Sequence, residues 1–188
     1  MPHSKKSKTP IESPLFGNKT LLVCVDIQEK LINVMAEKER VLANATKSLK
    51  ASAELGLPML ISEQYPKGLG KTALDCGEAP TLEKETFSIF GNEQMAHFVR
   101  KSSCKTLVLF GIESHVCVFQ SAVHALKLGY ETIILADSCS SRDILCHNLA
   151  IHTLSKKGAT ILPTETFIFG AMLGCKDAHF KAISAIVK

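Results

Sequence analysis

The chain has 188 residues, 46% hydrophobic and 21% charged, which is enough to bury one sizeable core as a single domain. Its net charge of +4 is small and scattered apart from Lys5, Lys6 and Lys8, and the aromatics do not interleave with a basic stripe. That pattern argues against nucleic acid as a partner. No apolar run is long enough to span a bilayer, and no secretory leader is read, so membrane association is not expected. The seven cysteines are odd in number and contain no close Cys-x-x-Cys pair, which points to a reduced, intracellular setting, cytoplasmic or mitochondrial. Residues 1–18 are expected to form a flexible solvated tail, and residues 19–188 one domain.

Residues 20–26 read as a buried strand ending in an acid, Asp26. A loop or short helix containing Gln28 and Glu29 follows. Residues 39–54 place Val41, Leu42, Ala45, Leu49 and Ala53 on one face of a helix that Gly56 ends. A second strand over residues 58–62 completes a strand–helix–strand unit with the usual right-handed crossover. Residues 63–70 are turn chemistry. A short strand around Lys84 then leads into a loop, and residues 92–100 show helical spacing at Met95, Phe98 and Val99. The apolar run from Lys105 reads as a buried parallel strand. Gly111 permits a tight turn after it, and Ser114 is placed to N-cap a helix carrying Cys117 in its first turn. Residues 131–137 form another strand ending in Asp137, followed by a polar turn over residues 138–141. Residues 142–157 read as a helix whose apolar face includes Leu145, Leu149 and His152. A sixth strand lies near Ile161, and a final helix starts near Asp177. This alternation specifies an α/β fold with a parallel sheet covered on both faces.

In such a sheet, ligands bind beyond the carboxyl ends of the strands. Four features fall there: Asp26, Lys84, the turn from Gly111 to Cys117, and Asp137. A thiol in a first helical turn meets unpaired N–H groups and the positive helix end, which favour its anion. Lys84 would add positive charge, and Asp26 would take and return a proton. Backbone N–H groups of the turn would hold an oxyanion. Each residue also has a plainer reading: Cys117 as a small buried hydrophobe, Asp26 as a structural acceptor, Lys84 as a solvated side chain, and His115 as a helix-start residue. His147 and His152 do not match the His-Glu-x-x-His ligand spacing, no Cys/His set has zinc-site spacing, and Gly-x-Gly-x-x-Gly and Walker patterns are absent. No cofactor or metal is therefore expected.

The ordered pieces Val25-Asp-Ile-Gln, Ser62-Glu-Gln-Tyr-Pro-Lys-Gly-Leu-Gly, Glu83-Lys-Glu-Thr-Phe-Ser, Gly111-Ile-Glu-Ser-His-Val-Cys-Val and Asp137-Ser-Cys-Ser-Ser-Arg resemble the isochorismatase-like cysteine hydrolase superfamily. The resemblance is to its isochorismatase domain-containing branch and to proteins there labelled mitochondrion-associated ribonucleases. It implies a three-layer fold with a six-stranded parallel sheet flanked by helices on both faces. It also implies a triad of Asp26, Lys84 and Cys117, a cis peptide before Glu113, and an oxyanion hole from the backbone N–H groups of Glu113 and Cys117. Gln28, Tyr65, Phe87 and His115 are then expected at the pocket rim. The segment at Ser62 lacks the histidines of metal-binding nicotinamidases, and a cysteine at the nucleophile position argues for acyl cleavage over vinyl-ether hydrolysis. The expected function is hydrolysis of an unknown small amide or ester through a thioester, in a homo-oligomer. A ribonuclease and a non-catalytic scaffold stand as alternatives.

Overall fold

The computed structural model describes residues 19–188, so the tail expected over residues 1–18 lies outside the described residues. Six strands form one parallel sheet in the order β3-β2-β1-β4-β5-β6. They are β1 (Thr20–Val25), β2 (Met59–Gln64), β3 (Thr81–Lys84), β4 (Thr106–Ile112), β5 (Glu131–Ser140) and β6 (Thr160–Leu162). The central pair, β1 and β4, is buried at every position. A parallel sheet covered on both faces needs continuous apolar strands, and Thr-Leu-Leu-Val-Cys-Val and Thr-Leu-Val-Leu-Phe-Gly-Ile supply them.

The helices are α1 (Glu29–Ile32), α2 (Lys38–Glu54), α3 (Pro66–Leu69), α4 (Glu93–Lys101), α5 (Phe119–Lys127), α6 (Ile144–Lys156), α7 (Thr164–Gly170) and α8 (Phe180–Val187). On one face α2, α7 and α8 pack against one another, with α2 and α7 also on β5. The chain reverses direction across the sheet after β3, so right-handed crossovers carry α4, α5 and α6 to the opposite face. α5 and α6 pack there on β5 and on each other. Local chemistry sets several helix starts: Asn92 Oδ1 accepts from Met95 N–H, and Asp143 Oδ1 accepts from Leu145 N–H. Each such cap stabilises its helix by about 1 kcal/mol.

Strand order places the reversal between β1 and β4, where β1 leads outward to β3 and β4 leads the other way to β6. A crevice opens at the carboxyl ends of such a pair. Gly111 makes the close approach there possible. Its φ is 137°, and a Cβ added to it would sit 2.0 Å from the Val25 carbonyl oxygen. No residue with a side chain fits.

Three local readings are corrected. The segment after Asp137 is not a turn: β5 continues to Ser140, with Gly111 paired to Cys139 and Ile112 to Ser140 past a register shift. Asp137 therefore does not sit at a strand exit. Its Oδ1 accepts from Thr164 N–H and Oγ–H at 2.8 and 2.7 Å, holding the start of α7. In α6, Leu145 and Leu149 are exposed, and His147, Ala150 and Leu154 face inward. The helix is apolar on two sides, and spacing alone picked the outer one.

Candidate active site

Asp26 closes β1 with a positive φ of 54°, a left-handed conformation that aspartate tolerates better than most residues. Its carboxylate is out of water and fully engaged: Oδ1 accepts from Ser62 Oγ at 2.7 Å and Oδ2 from Lys84 Nζ at 2.6 Å. Lys84 ends β3, opposite Gln64 of β2, and its long side chain crosses β2 to reach Asp26. Composition favoured a solvated lysine, yet neither side chain of this ion pair has exposed surface. The lysine stem is long enough to bring its charge under the sheet edge to a carboxylate that needs it.

Cys117 lies in a π-helical turn, Ser114–Val118, between β4 and α5. The Ile112–Glu113 peptide before it is cis. Ser114 does not cap a helix. It is buried, donates from Oγ to the Ser140 carbonyl at 2.8 Å, and stands 2.9 Å from His147 Nδ1. With its one hydroxyl proton on Ser140, the serine accepts from His147 Nδ1–H. The turn is thus tied to β5 and α6.

The structure brings Asp26, Lys84 and Cys117 together, with the thiol interacting with both charges. The surroundings of the thiol work against the anionic form expected from the helix end. Burial, then the Asp26 charge, push the Cys117 thiol up to about 12, with Lys84 opposing. Burial likewise raises the Asp26 carboxyl, against the pull of Lys84 and Ser62. The Asp26–Lys84 pair is neutral as a unit, so adding a thiolate would bury an uncompensated negative charge. Both influences, burial and the Asp26 charge, favour a protonated sulfur in the resting site.

Of the expected rim residues, Tyr65 and Phe87 are about half exposed, and His115 is partly exposed, 2.9 Å from Ser141 Oγ. Gln28 is fully buried and lies beneath the surface. Its Oε1 accepts from Gln64 N–H, and its Nε2 donates to the carbonyls of Gln64 and Gly70. Glu113 is nearly buried, with Arg142 Nε at 2.6 Å and His115 Nε2 at 3.4 Å.

Two residues at the centre were not assigned from sequence. Ser62 fixes the Asp26 carboxylate. Gln64 Oε1 accepts from Lys84 Nζ at 2.7 Å and lies 3.9 Å from Cys117 Sγ. The signal was present: a buried strand finishing in Ser-Glu-Gln carries polar side chains that demand partners. Reading a turn from Glu63 onward hid it. Among the described residues, no group of three or more His, Cys, Asp or Glu side chains is arranged to hold a metal ion. No helix among them is long and apolar enough to cross a membrane.

Comparison with known proteins extends these observations. The chain is 34% identical over 177 residues to isochorismatase family protein 1A of Dictyostelium discoideum, covering 90% of this chain and 86% of that one. It is 30% identical over 172 residues to isochorismatase domain-containing protein 1 of Salmo salar, spanning 90% of this chain but only 61% of the salmon protein. The solved structure of MAR1 ribonuclease from Caenorhabditis elegans superimposes with a TM-score of 0.85 at 25% identity, covering 95% of this chain and 92% of that one. The model of the isochorismatase domain matches residues 20–166. The strand order, the crevice between β1 and β4 and this match agree, and the chain belongs to the isochorismatase domain family, within the isochorismatase-like hydrolase superfamily.

Proposed function

We propose that this protein hydrolyses a small amide or ester through Cys117, with residues 19–188 acting as one catalytic domain. The observation that carries the reading is the sealed Lys84–Asp26 ion pair at 2.6 Å, interacting with a thiol on the turn that follows the neighbouring central strand. In this scheme Cys117 Sγ attacks the substrate carbonyl carbon while its proton passes to Asp26. The buried group then stays neutral: thiolate, ammonium and carboxylic acid replace thiol, ammonium and carboxylate. The raised Asp26 carboxyl suits it to accept that proton. Backbone N–H groups of Glu113 and Cys117 hold the oxyanion. Collapse expels the amine or alcohol, which takes the proton from Asp26 and leaves a thioester on Sγ. Water then attacks the thioester and gives its proton to Asp26, the carboxylic acid leaves, and Sγ recovers the proton. Lys84 keeps the compensating positive charge throughout.

The test is a panel of small amides and esters, read by product formation and by intact mass. A transient acyl adduct on Cys117, with turnover lost in Cys117→Ala and Asp26→Asn, is expected. Turnover unaffected by Cys117→Ala, or no adduct and no turnover across the panel, refutes the scheme. The name of the C. elegans relative supports a second reading, ribonuclease activity. RNA cleavage that persists through purification of the wild type and vanishes in Cys117→Ala would establish it over the first. A homo-oligomer belongs to the same proposal, and light scattering on the full chain decides it.

A further inference from the structure

The Cys117 residue is only 7% exposed, so the sulfur is largely shielded in the resting site. A cavity of about 380 Å³, whose lining includes Tyr65, Lys67, Glu85, Thr86 and Asn92, shares Lys84 with this site. The Gln64 side chain links the two. Its Oε1 rests on Lys84 Nζ and faces Cys117 Sγ, while its Nε2 donates to the carbonyl of the cavity-lining Glu85 at 2.9 Å. The backbone of Gln64 is clamped on both N–H and carbonyl by the buried Gln28 amide. Movement here is therefore confined to the side chain.

We infer that the Gln64 carboxamide is a gate between this cavity and the thiol, opened by a ligand that is itself a primary carboxamide. Such a ligand reproduces both bonds that hold the gate shut, accepting from Lys84 and donating N–H to Glu85. An ester or a tertiary amide reproduces only the first. The inference rests on the hydrolase reading for its substrate class, R–CO–NH2, and makes Gln64 a specificity-determining residue of that site.

The test needs no turnover. Cys117 is alkylated with iodoacetamide and, separately, with its N,N-dimethyl analogue, the Sγ–carbon bond forming as iodide leaves and the thiol proton passes to buffer. Peptide mass mapping gives the rate ratio of the two reagents, normalised to the same ratio at the exposed Cys175. In the wild type the normalised ratio favours the primary amide by about tenfold or more. In Gln64→Ala both rates rise and the ratio falls toward one. Gln64→Asn, one methylene too short to span Lys84 and Glu85, does the same and serves if the alanine variant does not fold. A wild-type ratio near one, or a ratio unchanged in the variants, overturns the gate. A change in thiolate population scales both reagents alike and cannot mimic the result. A protein that passes this test but cleaves no amide keeps the gate and loses the hydrolase reading.

Discussion

Replacing Lys84 by Met keeps most of the stem and deletes the ammonium from a carboxylate with no exposed surface. Breaking a buried ion pair from one side costs about 3–5 kcal/mol, because the remaining charge is left uncompensated. Asp26 has one escape, which is to take a proton. Burial already raises its carboxyl, and loss of Lys84, the strongest opposing influence, raises it further. A carboxyl raised in the folded state binds a proton that the unfolded chain, near 3.9, has released. Stability then falls as pH rises from the unfolded value through the raised folded one, by up to about 1.4 kcal/mol per unit. The Lys84→Met deficit is therefore largest near pH 8 and shrinks toward pH 5. For a domain of this size the thermal midpoint drops by about 2–4 °C for each kcal/mol lost. Adding Asp26→Asn to Lys84→Met removes the stranded charge and recovers about 2 kcal/mol at pH 8. Urea unfolding of the wild type, both single variants and the double variant at pH 5 and pH 8 measures all of this. A Lys84→Met loss below about 1 kcal/mol at pH 8, with no rescue by Asp26→Asn, would refute the energetic account of the site.

With its thiol pushed up to about 12, Cys117 of the free protein reacts with iodoacetamide at pH 8 at least about a hundredfold more slowly than exposed Cys175, and mass mapping that finds equal rates contradicts the protonated resting state. Gly111→Ala drives a Cβ into the Val25 carbonyl and costs about 3 kcal/mol or more, seen as lost soluble protein or a depressed thermal midpoint. Burial, then the Arg40 charge, lower the His147 imidazole, so the fold keeps it neutral while the unfolded chain protonates near 6.5. Stability accordingly declines as pH falls from about 6.5 toward the lowered folded value, and His147→Gln flattens that part of the pH–stability curve. Asp137→Ala loses the hold on Thr164 and about 0.5–2 kcal/mol, with Cys117 labelling unchanged, which separates this scaffold acid from Asp26.

Covalent order alone determined much of this protein. Apolar runs at β1 and β4, helical spacing at α2 and α4, and glycines after helices specify alternating strands and helices, because burial on both faces of a parallel sheet leaves no other pattern. The order of the motifs also pointed to Asp26, Lys84 and Cys117. Tertiary structure decided the rest. Nothing local distinguishes a lysine flanked by two glutamates from a solvated one; only β3 lying two strands from β1 sends Lys84 Nζ into the interior. Asp137 and Asp26 both follow apolar strand residues, and only the pairing of Gly111 with Cys139 extends β5 and turns Asp137 toward α7. Ser114 resembles an N-cap until His147 and Ser140 arrive from α6 and β5. The protonation of Cys117 follows the same rule: a helix end favours a thiolate in water, but desolvation beside a carboxylate outweighs that dipole, and burial is a property of the assembled fold.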